Sequence, residues 1–296
     1  MRAARSTTLP AVVGLVAVTA VWGSTFVVVK SAITRMPVMD FLAWRFTIGT
    51  LAMAAVRPMS LTRLGRDGVR RGAVLGLALG AGYVAQTEGL RHTPATVSGF
   101  ITGLFVIFTP LCAAVLLRRP VGVITWLAVA MATGGLALLS LRGLSVGTGE
   151  AITLLCAVAF ALHIIGLGEW SSTYDAAGLA IVQLGTVAVL SLIIAAPQSL
   201  APPPDAGVWG AIALTALAAT AIAFFIQTWA QARLSPTRAA VVLTMEPVFA
   251  GIFGVAVDGD RLGVKTVLGA ALVLAAMFAV EIGPRGGTDA SVQRFE

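Results

Sequence analysis

Ten apolar stretches, each close to the length of a membrane crossing, follow one another along 296 residues. A crossing helix needs about 20 mostly apolar residues to traverse ~30 Å of hydrocarbon. The limits read from the sequence are 10–30, 38–56, 71–91, 94–117, 121–141, 148–168, 176–196, 207–229, 236–256 and 262–282. Lipid offers no hydrogen bonds to a peptide group, so each stretch must satisfy its own backbone, as a helix does. The expected fold is therefore an all-α membrane protein of ten transmembrane helices. Only 11% of the residues are charged, under half the ~25% of a soluble domain, which leaves little chain outside the bilayer. Arg2 and Arg5 before the first apolar run imitate a signal peptide. That run is long enough to span and further spans follow it, so it reads as the first span.

The stretches are not independent. Residues 93–119 (TPATVSGFITGLFVIFTPLCAAVLLRR) and 235–261 (SPTRAAVVLTMEPVFAGIFGVAVDGDR) align without a gap. Thr93-Pro94 and Ser235-Pro236 are both helix-start signals, a hydroxyl that caps and a proline at the first helical position. The chain divides into two five-helix repeats, 1–147 and 148–296. An odd number of crossings per half gives the halves opposite orientations, so the repeats are inverted, a plan that places a substrate site near the membrane midplane.

The net charge of +7 does not signal a nucleic-acid partner, because the basic residues lie in short loops. With a cytoplasmic N-terminus, thirteen basic residues fall inside (among them Arg57, Arg63, Arg66, Arg70, Arg71, Arg118 and Arg119) and six outside (Lys30, Arg35, Arg91, Arg142, Arg261 and Lys265). That bias predicts a multi-pass inner-membrane protein with both termini in the cytoplasm. Cys112 and Cys156 lie within apolar segments and read as small buried hydrophobes. The sequence has no metal-ligand spacing, phosphate loop, Ser-His-Asp set or His-Glu-x-x-His. No cofactor, metal or enzymatic chemistry is expected.

The pattern of motifs resembles the drug/metabolite transporter superfamily, specifically its EamA-type members with ten spans. The residues that carry the resemblance are Trp22-Gly23-Ser24-Thr25-Phe26, Trp44-Arg45-Phe46, and the run from Gln86-Thr87-Glu88 through Thr93 to Gly99-Phe100-Ile101-Thr102-Gly103-Leu104. In the second half they are Leu234-Ser235-Pro236, Met245-Glu246-Pro247-Val248-Phe249 and Gly259-Asp260-Arg261-Leu262. The resemblance runs over about 10–282. It departs after span four, where Arg118-Arg119-Pro120 stands for the family's Gly-Glu-Arg/Lys, and after span nine, where Asp260 stands for Glu. The resemblance implies an exporter of amino acids, metabolites or drugs.

Ionisable groups inside a bilayer cost several kcal/mol unless paired or hydrated, so each is a functional candidate. Glu246 lies about ten residues into span nine beside Pro247; the proline frees a carbonyl and suggests a bend lining a cavity. Its expected roles are amine recognition, proton binding, or helix-to-helix bonding while protonated. The aligned residue of the first repeat is Leu104, so the pocket is expected to be chemically asymmetric. His163 aligns with Thr25 and is a second proton or carboxylate candidate, or a neutral histidine bonded to a neighbouring helix. Arg45 and Glu88 lie at similar depth and are expected to pair between spans two and three, as a gate or as a permanent bridge. Gln86 and Gln227 are near-equivalents, and Thr102 aligns with Thr244; each is a candidate substrate contact or interhelical bond. Trp22, Tyr83, Phe105 and Trp229 are candidate pocket walls, and Gly72, Gly76 and Gly80 mark a close helix approach on span three.

These readings converge on a secondary transporter exporting small organic solutes by alternating access, with protons as a candidate coupling ion. Its partners would be a small-molecule substrate and the lipid bilayer; oligomeric state leaves no mark in the sequence. The alternatives are a lipid or lipid-precursor flippase, and a non-transporting membrane protein such as an intramembrane enzyme or a scaffold.

Overall fold

The computed structural model describes residues 2–116, 118, 122–142, 145–234 and 242–282. Helices occupy each expected segment, and they are numbered here as spans one to ten. They are Arg2–Ile33, Val38–Val56, Ser60–Leu90, the pair Ala95–Gly103 and Phe105–Leu116, Val123–Ser140, Thr148–Trp170, Ala176–Ala195, Ala206–Gln231, Met245–Ala256 and Val264–Ile282. Spans one, two, four, six, seven and eight are long and apolar enough to cross a membrane by themselves. A two-residue ladder, Leu141↔Val146 and Arg142↔Ser145, turns the chain between spans five and six. The expected cap at Ser235-Pro236 lies outside the described residues.

Span three departs from expectation at its start. The segment expected as a polar connection is helical from Ser60, broken at Gly65 (φ 67, ψ 172). Leu64 and Gly68 are buried there, while Arg63, Arg66 and Arg70 point outward. One buried edge is enough to hold an otherwise polar segment in a helix.

The halves are interleaved rather than separate. Span three packs along spans six and seven, and span eight packs against spans one and two. Span one lies on span nine as span six lies on span four, and spans two and seven, four and nine, and five and ten pair across the halves. Exchanging the halves maps this contact pattern onto itself, as a two-fold relation requires. With five crossings in each, the repeats run in opposite directions.

Single contacts repeat the symmetry. The Ala201 N–H donates to Asp40 at 3.2 Å where the chain enters span two. The aligned pair is Gly178 and Ser60, where a Cβ on Gly178 would lie 2.5 Å from the Ser60 carbonyl oxygen. Arg35 in the one–two loop reaches Asp205 at the head of span eight at 2.8 Å. On the opposite face, Tyr174 in the six–seven loop donates to Asp67 at the head of span three, which Arg71 also holds at 2.8 Å.

Close helix approach depends on small residues. A Cβ on Gly72 would lie 2.8 Å from a Val182 methyl, and one on Gly76 would lie 2.7 Å from the Gln183 carbonyl oxygen. The glycine stripe of span three is therefore the surface on which span seven lies.

Asp205 caps the helix beginning at Ala206 by accepting from the Val208 N–H at 2.9 Å. That backbone bond first, and then the Arg35 charge, hold its carboxyl below the usual carboxylate range. A depressed folded pKa stabilises above the unfolded value, and this is lost as pH falls through the folded value. Asp205→Asn is thus expected to lower the thermal unfolding temperature in detergent at pH 7. The difference from the parent protein should shrink below about pH 4. Equal melting at both pH values would show that this end of span eight is held by other contacts.

Candidate functional site

Spans four and nine are both interrupted, and at nearly aligned positions. Span four turns at Leu104, between Ala95–Gly103 and Phe105–Leu116. Span nine turns at Thr244, and a new helix starts at Met245. The break falls where Pro247 acts: without an N–H, Pro247 cannot bond the carbonyl of Leu243, the last helical residue before Thr244. The turn precedes the proline. Its effect is to place Glu246 in the first turn of a helix, whose dipole favours a negative charge.

Glu246 faces a cavity of about 40 Å³ lined chiefly by Trp22, Thr25, Tyr83, Phe160, His163 and Phe224, with Gln86 and Gln227 beside them. The lining comes in symmetry pairs. Thr25 opposes His163, Trp22 opposes Phe160, Phe26 opposes Ile164, Tyr83 opposes Phe224 and Gln86 opposes Gln227. A cavity lined by both members of each pair lies on the axis relating the repeats. Asymmetry enters where the pairs differ, with His163 against Thr25 and Glu246 against Leu104.

The aromatic members form one cluster. Trp22 lies 5.4 Å from Phe224, and Tyr83 lies 5.3 Å from Phe160 and 6.1 Å from Phe224. Trp22 is anchored by its indole N–H, which donates to the Ala219 carbonyl at 2.9 Å. Ala219 belongs to a π-helical turn, Leu217–Ile222, within span eight. Such turns break the regular backbone ladder and recur at functional sites.

The polar members differ in how they are satisfied. Glu246 is 6% exposed and has no hydrogen-bond partner among the described residues. Gln227 Oε1 is also buried without one. His163 Nε2 lies 2.6 Å from Gln183 Oε1, while Gln183 Nε2 donates to the Leu179 carbonyl at 3.1 Å. A carbonyl only accepts, so the Gln183 amide nitrogen must face it, and His163 must donate from Nε2. In the neutral ring this leaves Nδ1 as the nitrogen able to take a proton.

Several expected contacts fall elsewhere. The Arg45–Glu88 pair does not form. Arg45 donates to Thr220 Oγ1 at 2.9 Å and Tyr83 Oη at 3.4 Å, whereas Glu88 meets Arg91 at 3.0 Å and His92 at 3.7 Å. Arg45 points into the protein toward span eight and Glu88 toward the surface, and similar depth says nothing of direction around a helix. Trp229 is not a cavity wall; the Arg233 guanidinium stacks on its ring at 4.5 Å. Thr102 lies behind the lining, accepting from Gln86 Nε2 at 3.4 Å. Thr244 is buried at the turn of span nine. Phe160 and Phe224 were not anticipated, although carrying Trp22 and Tyr83 across the repeat points to both.

Helices over the ten expected spans, in two inverted repeats with two interrupted helices beside an aromatic-lined cavity on their axis, define a multi-pass membrane transporter fold. The chain belongs to the EamA-like transporter family, which it matches twice, over residues 9–141 and 147–281. A relative from Archaeoglobus fulgidus, described as an uncharacterized transporter, is 32% identical over 270 residues, covering 91% of this chain and 85% of the relative. A solved structure titled only as the crystal structure of a protein shares the fold. Its TM-score is 0.63 at 21% identity, over 94% of this chain and 97% of that one.

Proposed function

We propose that the protein is a secondary transporter that exports small organic solutes bearing an amine, with both termini in the cytoplasm of a cell whose inner membrane it crosses. The observation that carries this is Glu246, a buried carboxylate without a hydrogen-bond partner among the described residues, facing an aromatic-lined cavity on the symmetry axis. A lone buried charge costs several kcal/mol unless a cation or a proton meets it. Trp22, Tyr83, Phe160 and Phe224 supply ring faces that attract an ammonium group. Solute amine and proton then compete for one carboxylate, which couples outward solute movement to inward proton movement. His163, with Nε2 held by Gln183, offers a second proton acceptor beside it.

The cavity of about 40 Å³ holds a few waters, at roughly 10–15 Å³ each. Organic ligands occupy pockets of about 300–1,000 Å³. Admitting a solute therefore requires the helices to part, which alternating access supplies. Only a solute that binds the two states differently shifts their balance.

The test is efflux from proteoliposomes loaded with a mixed panel of amino acids, biogenic amines and neutral metabolites, with and without a pH gradient. Selective loss of amine-bearing compounds, faster when the receiving side is acidic, is expected. Loss confined to neutral metabolites, or no loss from folded protein, would overturn the reading.

A further inference from the structure

Spans four and nine are tied together at their outer ends, on the face opposite the two termini. Asp260, just after span nine, reaches the start of span four, where its Oδ2 accepts from the Thr96 N–H at 2.9 Å. The first N–H groups of a helix have no partner within it, and span four does not cap itself. The Thr93 hydroxyl, expected there as the cap, has no hydrogen-bond partner among the described residues. The cap comes instead from the other half of the chain. A second acid of the same loop, Asp258, pairs with Lys30 at the end of span one at 2.9 Å. Gly259 between the two acids has φ 71, a left-handed conformation that glycine adopts freely, and the turn there lets one loop reach both spans. Below this link the helices touch closely. A Cβ on Gly254 would collide with the Thr96 hydroxyl, and one on Gly99 would collide with the Ala250 Cβ.

The repeat does not carry this link to the inner ends. In the gapless alignment of 93–119 with 235–261, Asp260 falls on Arg118 and Asp258 on Leu116. In the register that matches Thr25 with His163, Lys30 falls on Gly168. Thr96 aligns with Arg238, so the inner positions bring two like charges and no carboxylate acceptor. Building on alternating access as proposed above, we propose that Asp260 is the gate residue that decides which face of the cavity opens. It latches spans four and nine together outside. Arg118 cannot do so inside, so the resting protein opens to the cytoplasm, where an exporter collects its solute. Opening outward breaks the bond to Thr96. Solute binding supplies that difference by favouring the outward state. The latch depends on the two-state cycle and not on the chemistry of the solute.

The experiment places one reporter thiol, Thr25→Cys, on the cavity wall of the full-length protein, with Cys112→Ala and Cys156→Ala removing the native thiols. Labelling by a membrane-impermeant maleimide is timed in right-side-out and in inverted membrane vesicles. Labelling from the cytoplasmic face is expected to be about tenfold faster, the factor that one hydrogen bond to a charged group confers. Asp260→Ala should raise the outer rate about tenfold without raising the cytoplasmic rate. Arg118→Glu supplies the missing inner acceptor and should slow cytoplasmic labelling severalfold. It lies at the other end of the molecule and serves as the second arm if Asp260→Ala does not fold. A general loosening of the fold would raise both rates together, so opposite shifts distinguish a gate from a structural contact. Equal rates from the two faces in the reporter protein, an outer rate unchanged by Asp260→Ala, a rise of both rates, or a cytoplasmic rate unchanged by Arg118→Glu would overturn the latch. Failure of alternating access looks different: no labelling from either face, in the reporter protein or in any variant that melts as it does.

Discussion

Glu246→Gln is expected to reduce solute efflux roughly 10- to 100-fold while leaving thermal unfolding close to that of the parent protein. A hydrogen bond to a charged group contributes about 1.5–3 kcal/mol, and each ~1.4 kcal/mol is a factor of ten. Glutamine keeps the shape and a carbonyl acceptor, so the loss reports charge and not volume. Stability is little affected because Glu246 makes no hydrogen bond within the described structure that the amide would break; removing a lone buried charge if anything relieves a cost. Proton dependence should vanish together with the flux, since the same oxygens serve both. Efflux at the parental rate, with its response to a pH gradient intact, would remove Glu246 from the mechanism and leave His163 and Tyr83 as the buried titratable groups in the lining.

Gly23→Val should force spans one and nine apart. A Cβ at Gly23 would lie 2.5 Å from the Phe249 Cβ and 2.7 Å from the Ala250 nitrogen. The obstacle is the backbone of span nine, which cannot rotate aside as a side-chain tip can. Overpacking of this kind costs about 1–3 kcal/mol or more, so spans one and nine must separate. Trp22, the neighbouring residue, would lose its bond to Ala219, and Glu246 would move with its helix. A fall in unfolding temperature on the order of 5 °C or more is expected, with efflux lost. Gly210→Ala is the control: nothing lies within 4 Å of its would-be Cβ, and melting should be unchanged or slightly higher. If Gly23→Val melted like the control, the close packing of spans one and nine would be wrong.

The candidate cavity was partly legible in the sequence because the repeat carries positions across the halves. Thr25 and His163, and Gln86 and Gln227, were matched by alignment, and both pairs line the cavity. The same operation applied to Trp22 and Tyr83 leads to Phe160 and Phe224. Arg45 shows where this stops. Depth along a span can be counted from the sequence, but direction around the helix is set by neighbours, and in span two the polar and apolar residues are too mixed to mark a face. Arg45 therefore turned toward Thr220 and Tyr83 and away from Glu88. Trp229 failed in the same manner, with Arg233 one helical turn away holding its ring.

The lipid environment made the number of helices, their approximate positions and the inverted relation of the two halves properties of the sequence. Each apolar stretch must form its own backbone hydrogen bonds before it meets any neighbour. What waited on the tertiary structure was every contact between helices: the interleaving of the halves, the turns that interrupt spans four and nine, and the π-helical turn in span eight. In lipid, apolar residues are equally at home on every side of a helix, so no hydrophobic pattern chooses a partner. That choice falls to small residues that let backbones approach, such as Gly23 and Gly76, and to a few polar side chains such as Trp22, Arg45 and Gln183. Their partners lie far away in the chain and become known only when the helices meet.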